Sequence, residues 1–223
     1  MIKHRKRILA YGDSNTWGYV PGTYNAVTVH YEQFSSGERW PTLLQATLGS
    51  DYLIIEEGLP GRTIANDDVT QPGMNGLISL KPCLLAHRPL DMVIIMLGSN
   101  DLKTQYQLTA DKIVDNLRRM CRLIKSSQVG LNEGDPVICI VPPPIIHTQR
   151  LDKDFSPNFS LESDQKAKQL PGCYAALAKE EGACFCDPNQ VFSTEKTDGL
   201  HFDAQGHSQM AALLEVVIQQ VFT

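Results

Sequence analysis

Three side chains in this sequence have the types and spacing needed for nucleophilic catalysis. Ser14 follows the apolar run 8–11 and a break at Gly12, which places it where a buried strand ends and a helix begins. Asp198 and His201 are three residues apart in a glycine-containing turn, so the carboxylate can accept a hydrogen bond from Nδ1 and leave Nε2 free. This pattern predicts that His201 takes the proton of the Ser14 hydroxyl. The competing interpretation, that Ser14 only caps a helix, stays open on this stretch alone.

Other residues compete for the roles of orienting carboxylate and base. Asp187 ends the last predicted strand and is an alternative partner for the histidine, although it can equally cap the turn that follows. The three-residue spacing favours Asp198. His207 falls within the start of the last predicted helix, where we expect it to pack or to cap. His147 lies on a predicted loop, where it can contact a substrate.

A serine that attacks a carbonyl carbon also needs hydrogen-bond donors for the resulting oxyanion. Asn100, in LGSND (97–101), can present its side-chain amide at the end of the third predicted strand, although this sequence is also typical of a turn. Gly61 follows the second predicted strand and offers a backbone N–H with no side chain in the way. The backbone amide of Ser14 is the third candidate. The candidate groups therefore follow successive strands, in order along the chain.

Five apolar runs separated by helical stretches predict the elements that position these groups. Most of the runs lack polar alternation, which is typical of strands covered on both faces. They are KRILAY (6–11), YLIIEE (52–57), DMVIIML (91–97), PVICIVP (136–142) and ACFCD (183–187). The predicted helices are 38–49, 76–87, 109–128, 161–181 and 204–221. This alternation predicts an α/β fold, a three-layer flavodoxin-like sandwich with a five-stranded parallel sheet, in a single domain spanning 1–223.

Composition and charge argue against several classes of function. The 223 residues are 42% hydrophobic and carry a formal net charge of −5, with no basic block beyond KHRKR at 3–7. This balance argues against nucleic-acid binding. No apolar run approaches the roughly 18 residues that a membrane helix needs, and the N-terminus lacks the features of a signal peptide. We therefore expect a soluble cytoplasmic protein without a membrane partner.

The six cysteines are predicted to be reduced core residues. They are scattered along the chain, and Cys184 and Cys186 alternate along a predicted strand, so they face the same side. Neither has further ligands at a spacing that is typical of metal sites, so no metal site is predicted. Asp67 and Asp68 are adjacent acids on a loop, which are usually solvated.

Four motifs, GDSNTWG, GLPGRT, GSND and DGLH, resemble the four sequence blocks of the SGNH hydrolases, also called the GDSL esterase/lipase family. They run from residue 12 to residue 201 and so span nearly the whole chain. The resemblance implies that Ser14 is the nucleophile, His201 the base and Asp198 its partner. It implies that Gly61 and Asn100 join the Ser14 amide in an oxyanion hole, on a five-stranded parallel sheet.

The motifs look most like those of the bacterial arylesterase/acyltransferase branch of that family. The resemblance implies a serine esterase that acts through an acyl-enzyme on small-molecule esters, with acyltransferase activity and homo-oligomer formation as further properties of the branch. Aryl, alkyl and sugar alcohols all fit such an ester, and no cofactor is required.

Bulky residues near these motifs are predicted to line the acyl pocket. They are Trp17, Leu59, Ile64, Pro142, Ile145 and Ile146, together with His147. Their size predicts a narrow pocket for short acyl groups such as acetyl. For Trp17, core packing and substrate contact are equally open, whereas core packing is favoured for Trp40. The loops that follow the second and fourth strands, 58–76 and 142–160, are expected to shape the pocket.

Two alternatives from other classes remain at this stage. The first is a catalytically inactive ligand-binding module on the same fold, against which the four intact motifs argue. The second is a nucleotide or phosphate binder that uses the turn after the first strand, although GDSNTWG has few glycines for a phosphate cradle.

Overall fold

A computed structural model describes residues 4–222, in which a five-stranded sheet lies between two layers of helices. The strands are β1 (Lys6–Gly12), β2 (Tyr52–Gly58), β3 (Met92–Met96), β4 (Val137–Val141) and β5 (Cys184–Phe185). Their order in the sheet is β2-β1-β3-β4-β5, and every neighbouring pair is parallel. The predicted α/β fold with a five-stranded parallel sheet is confirmed.

The helices connect the strands and cover both faces of the sheet. They are α1 (Ser14–Trp17), α2 (Trp40–Leu48), α3 (Gly76–His87), α4 (Ala110–Ser126), α5 (Leu161–Glu181) and α6 (Ala204–Phe222). The five longer helices end within two residues of the predicted positions. Local chemistry sets these ends: the Asn75 side chain accepts from the first backbone amides of α3, and Gly182, at φ +63°, ends α5.

Side chains alternate between the two faces of each central strand, so the protein has a core on either side of the sheet. In β1, Leu9 and Tyr11 pack with α3, α4 and α5, whereas Ile8 and Ala10 pack with α2 and α6. All four are at most 1% exposed. Both faces are therefore apolar, which is why the strands appear in the sequence as continuous hydrophobic runs.

The last strand is shorter than predicted. β5 contains only Cys184 and Phe185, although 183–187 was expected to be extended. The Cys186 amide still donates to the Ile140 carbonyl at 3.1 Å, but Pro188 lacks an N–H and starts a 3₁₀ turn that the Asp187 side chain caps. The strand ends there because the backbone turns away from the sheet.

Three long connections lie over the carboxyl edge of the sheet. They are the 18–39 loop after α1, the 59–75 loop after β2 and the 142–160 loop after β4. The 18–39 loop is held by two antiparallel bridges, Tyr19 with Gln33 and Asn25 with His30. Among residues 4–222, no helix combines the length and hydrophobicity needed to cross a membrane.

Candidate active site

Ser14 is presented by a sharp turn between β1 and α1. It is the first residue of α1, and the Asp13 carboxylate caps this helix by accepting from the Asn15 amide at 2.9 Å. A Cβ on Gly12 would lie 2.0 Å from Thr16 Oγ1 and 2.9 Å from the Met96 carbonyl, so only glycine fits this turn. The Ser14 N–H stands at a helix N-terminus, where backbone amides lack an intrahelical partner and favour an anion.

His201 and Asp198 lie in line with Ser14. His201 Nε2 is 3.0 Å from Ser14 Oγ, and His201 Nδ1 is 2.7 Å from Asp198 Oδ2. The other carboxylate oxygen of Asp198 accepts from the backbone amides of Leu200 and His201 at 3.0 and 2.8 Å. Burial alone raises the pKa of Asp198, but interactions with His201 and these hydrogen bonds outweigh it and hold the pKa below its usual value. The carboxylate therefore stays ionised and can fix the imidazole tautomer.

The Asn15 side chain links the histidine turn to the serine turn. Its Nδ2 donates to the Leu200 carbonyl at 3.3 Å, and its Oδ1 accepts from the Phe202 amide at 2.9 Å. The two contacts therefore bracket His201 in the chain. Asn15 is 1% exposed, so this link is shielded from water. The sequence prediction did not single out Asn15, although it directly follows the serine of the first motif.

Asn100 and the 59–75 loop are held together by Arg62. The Asn100 side-chain amide donates to the Arg62 carbonyl at 3.1 Å. The Arg62 guanidinium donates to the carbonyls of Gly12, at 2.9 Å, and Glu57, and it lies over the Tyr11 ring at 4.1 Å. Arg62 is 5% exposed and so acts inside the protein. It connects the loop that carries Gly61 to the end of β1, a role that the GLPGRT motif alone does not reveal.

Gly61 has a backbone conformation that residues with a side chain rarely adopt. Its φ is +88°, and an added Cβ would lie 2.9 Å from Gln71 Oε1. Gly61, Asn100 and Ser14 all line one cleft. The three groups predicted to stabilise an oxyanion are therefore brought to one place. Backbone and side-chain N–H groups in such a cleft can bind a developing negative charge.

Two buried carboxylates lie behind these donors. Asp101 accepts from the Ile64 amide, at 2.9 and 3.1 Å to its two oxygens, and from Asn66 Nδ2 at 2.7 Å. The pKa of Asp101 is raised to about 7. Burial is the largest cause and the nearby Asp13 charge adds to it, whereas the hydrogen bonds from Ile64 and Asn66 lower the pKa. Burial also raises the pKa of Asp13, although the hydrogen bond from the Asn15 amide and the interaction with His201 lower it. Asp101 thus ties the residues after Gly61 to the turn that carries Asn100.

The cleft above Ser14 has a volume of about 170 Å³ and an aromatic rim. Tyr19, Tyr24 and Tyr31 reach it from the 18–39 loop, and Phe155 reaches it from the 142–160 loop. The Tyr19 ring stacks on the His201 imidazole, with centroids 4.1 Å apart and planes at 29°, and Phe155 meets the same imidazole edge-on at 5.7 Å. The tyrosine cluster was not predicted from the sequence, because its residues follow no helical or strand period.

The side chains predicted to line the acyl pocket occupy other positions. Among residues 4–222, the lining of the cleft does not include Trp17, Leu59, Ile64, Pro142, Ile145, Ile146 or His147. Ile64 and Ile146 are 0% exposed in the core, and Pro142 is buried. These three apolar side chains pack inward, where burial removes them from water. The lining comes instead from Pro60 and Gly61 after β2, from tyrosines of the 18–39 loop and from Phe155, so none of the seven predicted positions is among the described residues that line the cleft.

Contacts of the remaining members of that set explain their placement. Trp17 is half-buried and meets Tyr31 edge-on at 5.4 Å. His147 Nδ1 is 2.8 Å from Thr194 Oγ1, a contact that orients the ring. The Ile145 amide donates to Asn189 Oδ1 at 2.8 Å, and the Leu59 amide donates to the Gly12 carbonyl at 3.1 Å.

The competing acid and base candidates also have other partners. The Asp187 carboxylate accepts from the Asn189 amide at 3.0 Å and its side chain at 2.9 Å, so it caps a turn. His207 is 0% exposed, and its Nδ1 accepts from the Trp40 amide at 3.3 Å. Burial lowers the pKa of His207 to about 3, with His201 and Arg39 contributing, so it is neutral at pH 7.

Comparisons with known proteins show the family of the chain. A profile of the GDSL-like lipase/acylhydrolase family matches residues 10–209. The chain therefore belongs to the GDSL-like lipase/acylhydrolase family. A comparison with curated proteins gives no match.

Solved structures with the same fold include enzymes of known class. The inhibitor-bound aryl esterase of M. smegmatis is 35% identical, with a TM-score of 0.88 over 97% of this chain and 100% of that one. Est24, a carbohydrate acetylesterase from Sinorhizobium meliloti, is 31% identical, with a TM-score of 0.88 over 97% and 100% of the two chains. A lipase/acylhydrolase from Enterococcus faecalis, 21% identical with a TM-score of 0.68 over 97% and 96%, shares the fold.

Proposed function

We propose that this carboxylic ester hydrolase cleaves short-chain, acetyl-type esters of aryl, alkyl or sugar alcohols through an acyl-enzyme on Ser14. The observation that carries the proposal is the 3.0 Å contact between Ser14 Oγ and His201 Nε2, with Asp198 2.7 Å from the opposite ring nitrogen. Nucleophile, base and orienting carboxylate within hydrogen-bond reach form the arrangement that acyl transfer requires.

The reaction proceeds in two halves. His201 removes the Ser14 proton as Oγ attacks the ester carbonyl, and Asp198 stabilises the imidazolium that forms. The protonated His201 then gives its proton to the departing alcohol, which leaves an acyl group on Ser14. Water, activated by the same imidazole, releases the acid. A second alcohol in place of water gives acyl transfer.

The tetrahedral intermediates carry a negative oxygen, for which three donors are available. These are the Ser14 amide, the Gly61 amide and the Asn100 side chain, all lining the same cleft. Removing one such donor typically lowers the rate by about 10²–10³-fold. The Arg62 carbonyl holds Asn100 in place for this role, at 3.1 Å.

The cleft also supports the proposed range of esters. A volume of about 170 Å³ suits a small acyl group, and the aromatic rim can pack against an aryl ring or a sugar ring of the alcohol. Two relatives have names that refer to these two kinds of ester: the aryl esterase of M. smegmatis and the carbohydrate acetylesterase Est24.

The acyl preference can be tested with p-nitrophenyl esters of increasing chain length. We expect kcat/KM to be highest for the acetate and to fall as the acyl chain grows, because the cleft holds few additional methylene groups. Faster hydrolysis of long-chain esters than of the acetate would contradict a short-chain preference. Acetylated sugars and aryl acetates in the same panel identify the preferred alcohol.

Covalent labelling separates the enzyme from an inactive binding module. A fluorophosphonate should modify one serine per chain, and mass spectrometry should locate the label at Ser14. The Ser14→Ala variant should keep its melting temperature and lose both labelling and hydrolysis of p-nitrophenyl acetate. A wild-type protein that binds esters but neither reacts with the probe nor turns them over would instead be a binding module.

A further inference from the structure

A second cluster of reactive side chains lies between β2 and α3, apart from the residues that line the cleft. Glu57 comes from β2, and Cys83 and His87 come from α3. Their ligand atoms all lie within 4.8 Å of one another. We propose that Glu57, Cys83 and His87 form a binding site for Zn²⁺ that joins the edge strand of the sheet to α3. This proposal does not depend on the esterase reaction.

The backbone places the three groups on facing surfaces. Cys83 and His87 are four residues apart in α3, so they share one face of the helix. That face lies over Glu57, and His87 Nε2 is 3.0 Å from Glu57 Oε1. In a tetrahedral zinc site the ligand atoms are about 3.3–3.5 Å apart, as follows from Zn–S near 2.3 Å and Zn–N or Zn–O near 2.0 Å. Shifts of about 1 Å in the ligand atoms would bring the cluster to that size.

The partial exposure of the cluster gives a cation access from solvent. All three residues are only partly buried, and the side chains of His87 and Glu57 are 30% and 32% exposed. The fourth coordination position can therefore be filled by water. Arg7 donates to the His87 carbonyl, and Arg62 donates to the Glu57 carbonyl, so both arginines fix the backbone behind the ligands.

Binding of a dication would change the protonation state of Cys83. Burial raises the pKa of the Cys83 thiol to about 12, with the Glu57 carboxylate adding to the effect and Arg62 opposing it. A bound divalent cation reverses this preference, because it stabilises the thiolate directly. Binding releases the thiol proton to solvent, and His87 ligates as a neutral imidazole. Thiolate and imidazole together select Zn²⁺ over Mg²⁺ or Ca²⁺, which prefer oxygen ligands.

Metal titration of the whole protein tests the proposal. Zn²⁺ should bind with one site per chain in calorimetry, and at about 100 times the dissociation constant it should raise the melting temperature by roughly 5–10 °C. Co²⁺ in the same site should give the near-ultraviolet absorption band of a thiolate–cobalt bond. Both probes measure binding directly, so hydrolysis of p-nitrophenyl acetate is not needed as a readout.

Matched variants identify the ligands. Cys83→Ser should abolish the cobalt–thiolate band, and His87→Gln should abolish the zinc-dependent rise in melting temperature. Cys173→Ser removes another partly buried thiol, which belongs to α5, and should leave both signals unchanged. A wild-type protein without the band, or a band that survives in Cys83→Ser, would overturn the proposal. A band lost in Cys173→Ser would place the metal elsewhere and would overturn it as well.

Discussion

At the scale of single residues, the two oxygens of Asp198 have separate tasks. Oδ1 accepts from the backbone amides of Leu200 and His201, which holds the turn, and Oδ2 faces His201 Nδ1 at 2.7 Å. Because both oxygens act only as acceptors, the imidazole must carry its proton on Nδ1. Its Nε2 is then an acceptor for the Ser14 hydroxyl. The carboxylate therefore sets both the shape of the turn and the tautomer of His201.

Replacing Asp198 by asparagine should separate these two tasks. The amide oxygen of Asp198→Asn can still accept from the backbone, but its NH₂ then faces Nδ1 and stabilises the tautomer with the proton on Nε2. We expect kcat for p-nitrophenyl acetate to fall by roughly 10³–10⁴-fold with little change in melting temperature. The matched control is Asp187→Asn, whose carboxylate caps a distant turn and whose kcat should stay near that of the wild type. Comparable losses in both variants would contradict Asp198 as the partner of the base.

At the scale of elements, the site depends on polar links between turns that are far apart in the chain. The Asn15 side chain joins the start of α1 to the segment 200–202, at 3.3 and 2.9 Å. Arg62 and Asp101 join the 59–75 loop to β1 and to the turn after β3. These buried side chains fix how the loops sit relative to one another, a task that the apolar core beneath them does not perform.

Removing the Asn15 link should affect the rate more than the fold. Asn15→Ala releases the backbone on both sides of His201, so the 3.0 Å contact with Ser14 loses its support. Misplacement by about 1 Å can cost on the order of 10²-fold in rate, and we expect such a decrease in kcat with a smaller change in KM. Asn116→Ala is the control, since it removes an equally buried asparagine from α4 that accepts from Arg119. That variant should lose stability but keep its kcat.

The elements themselves were predictable from the sequence to a large extent. Continuous apolar runs specify strands that are buried on both faces, and the turn residues that end them mark where Ser14, Gly61 and Asn100 emerge. The residues that line the cleft were not predictable, because loops lack the helix or strand periodicity from which the direction of a side chain can be inferred. Ile64 and Ile146 are buried in the core, whereas residues 18–37, for which no element was predicted, supply three tyrosines.

At the scale of the whole molecule, buried titratable groups make stability depend on pH in opposite directions. The pKa of Asp101 is raised to about 7 by burial, so between its ordinary value and pH 7 the folded state holds a proton that the unfolded chain releases. This contribution is present at low pH and is lost as pH rises toward 7. The pKa of His207 is lowered to about 3 by burial. Between about pH 6.5 and pH 3, the unfolded chain therefore binds a proton at this histidine that the folded state does not bind. This effect destabilises the protein as pH falls.

The contribution of His207 can be isolated with one substitution. His207→Asn provides an acceptor for the Trp40 amide but does not titrate. Between pH 6 and pH 4, the free energy of unfolding of the wild type should fall relative to that of the variant, by up to about 1.4 kcal/mol per pH unit. Urea denaturation at several pH values measures both curves, and Asp101 contributes equally to each. His30→Asn, which removes an exposed histidine, should follow the wild type; parallel curves for wild type and His207→Asn would disprove the effect.

The ring of Tyr19 covers one face of the His201 imidazole at 4.1 Å, and Phe155 closes a second side. In the proposed acyl transfer, an accepting alcohol would therefore approach His201 beside these two rings. Mirror-image secondary alcohols would present different substituents to these aromatic rings. If acyl transfer occurs as proposed above, one enantiomer of a racemic alcohol should consequently be acylated faster than the other.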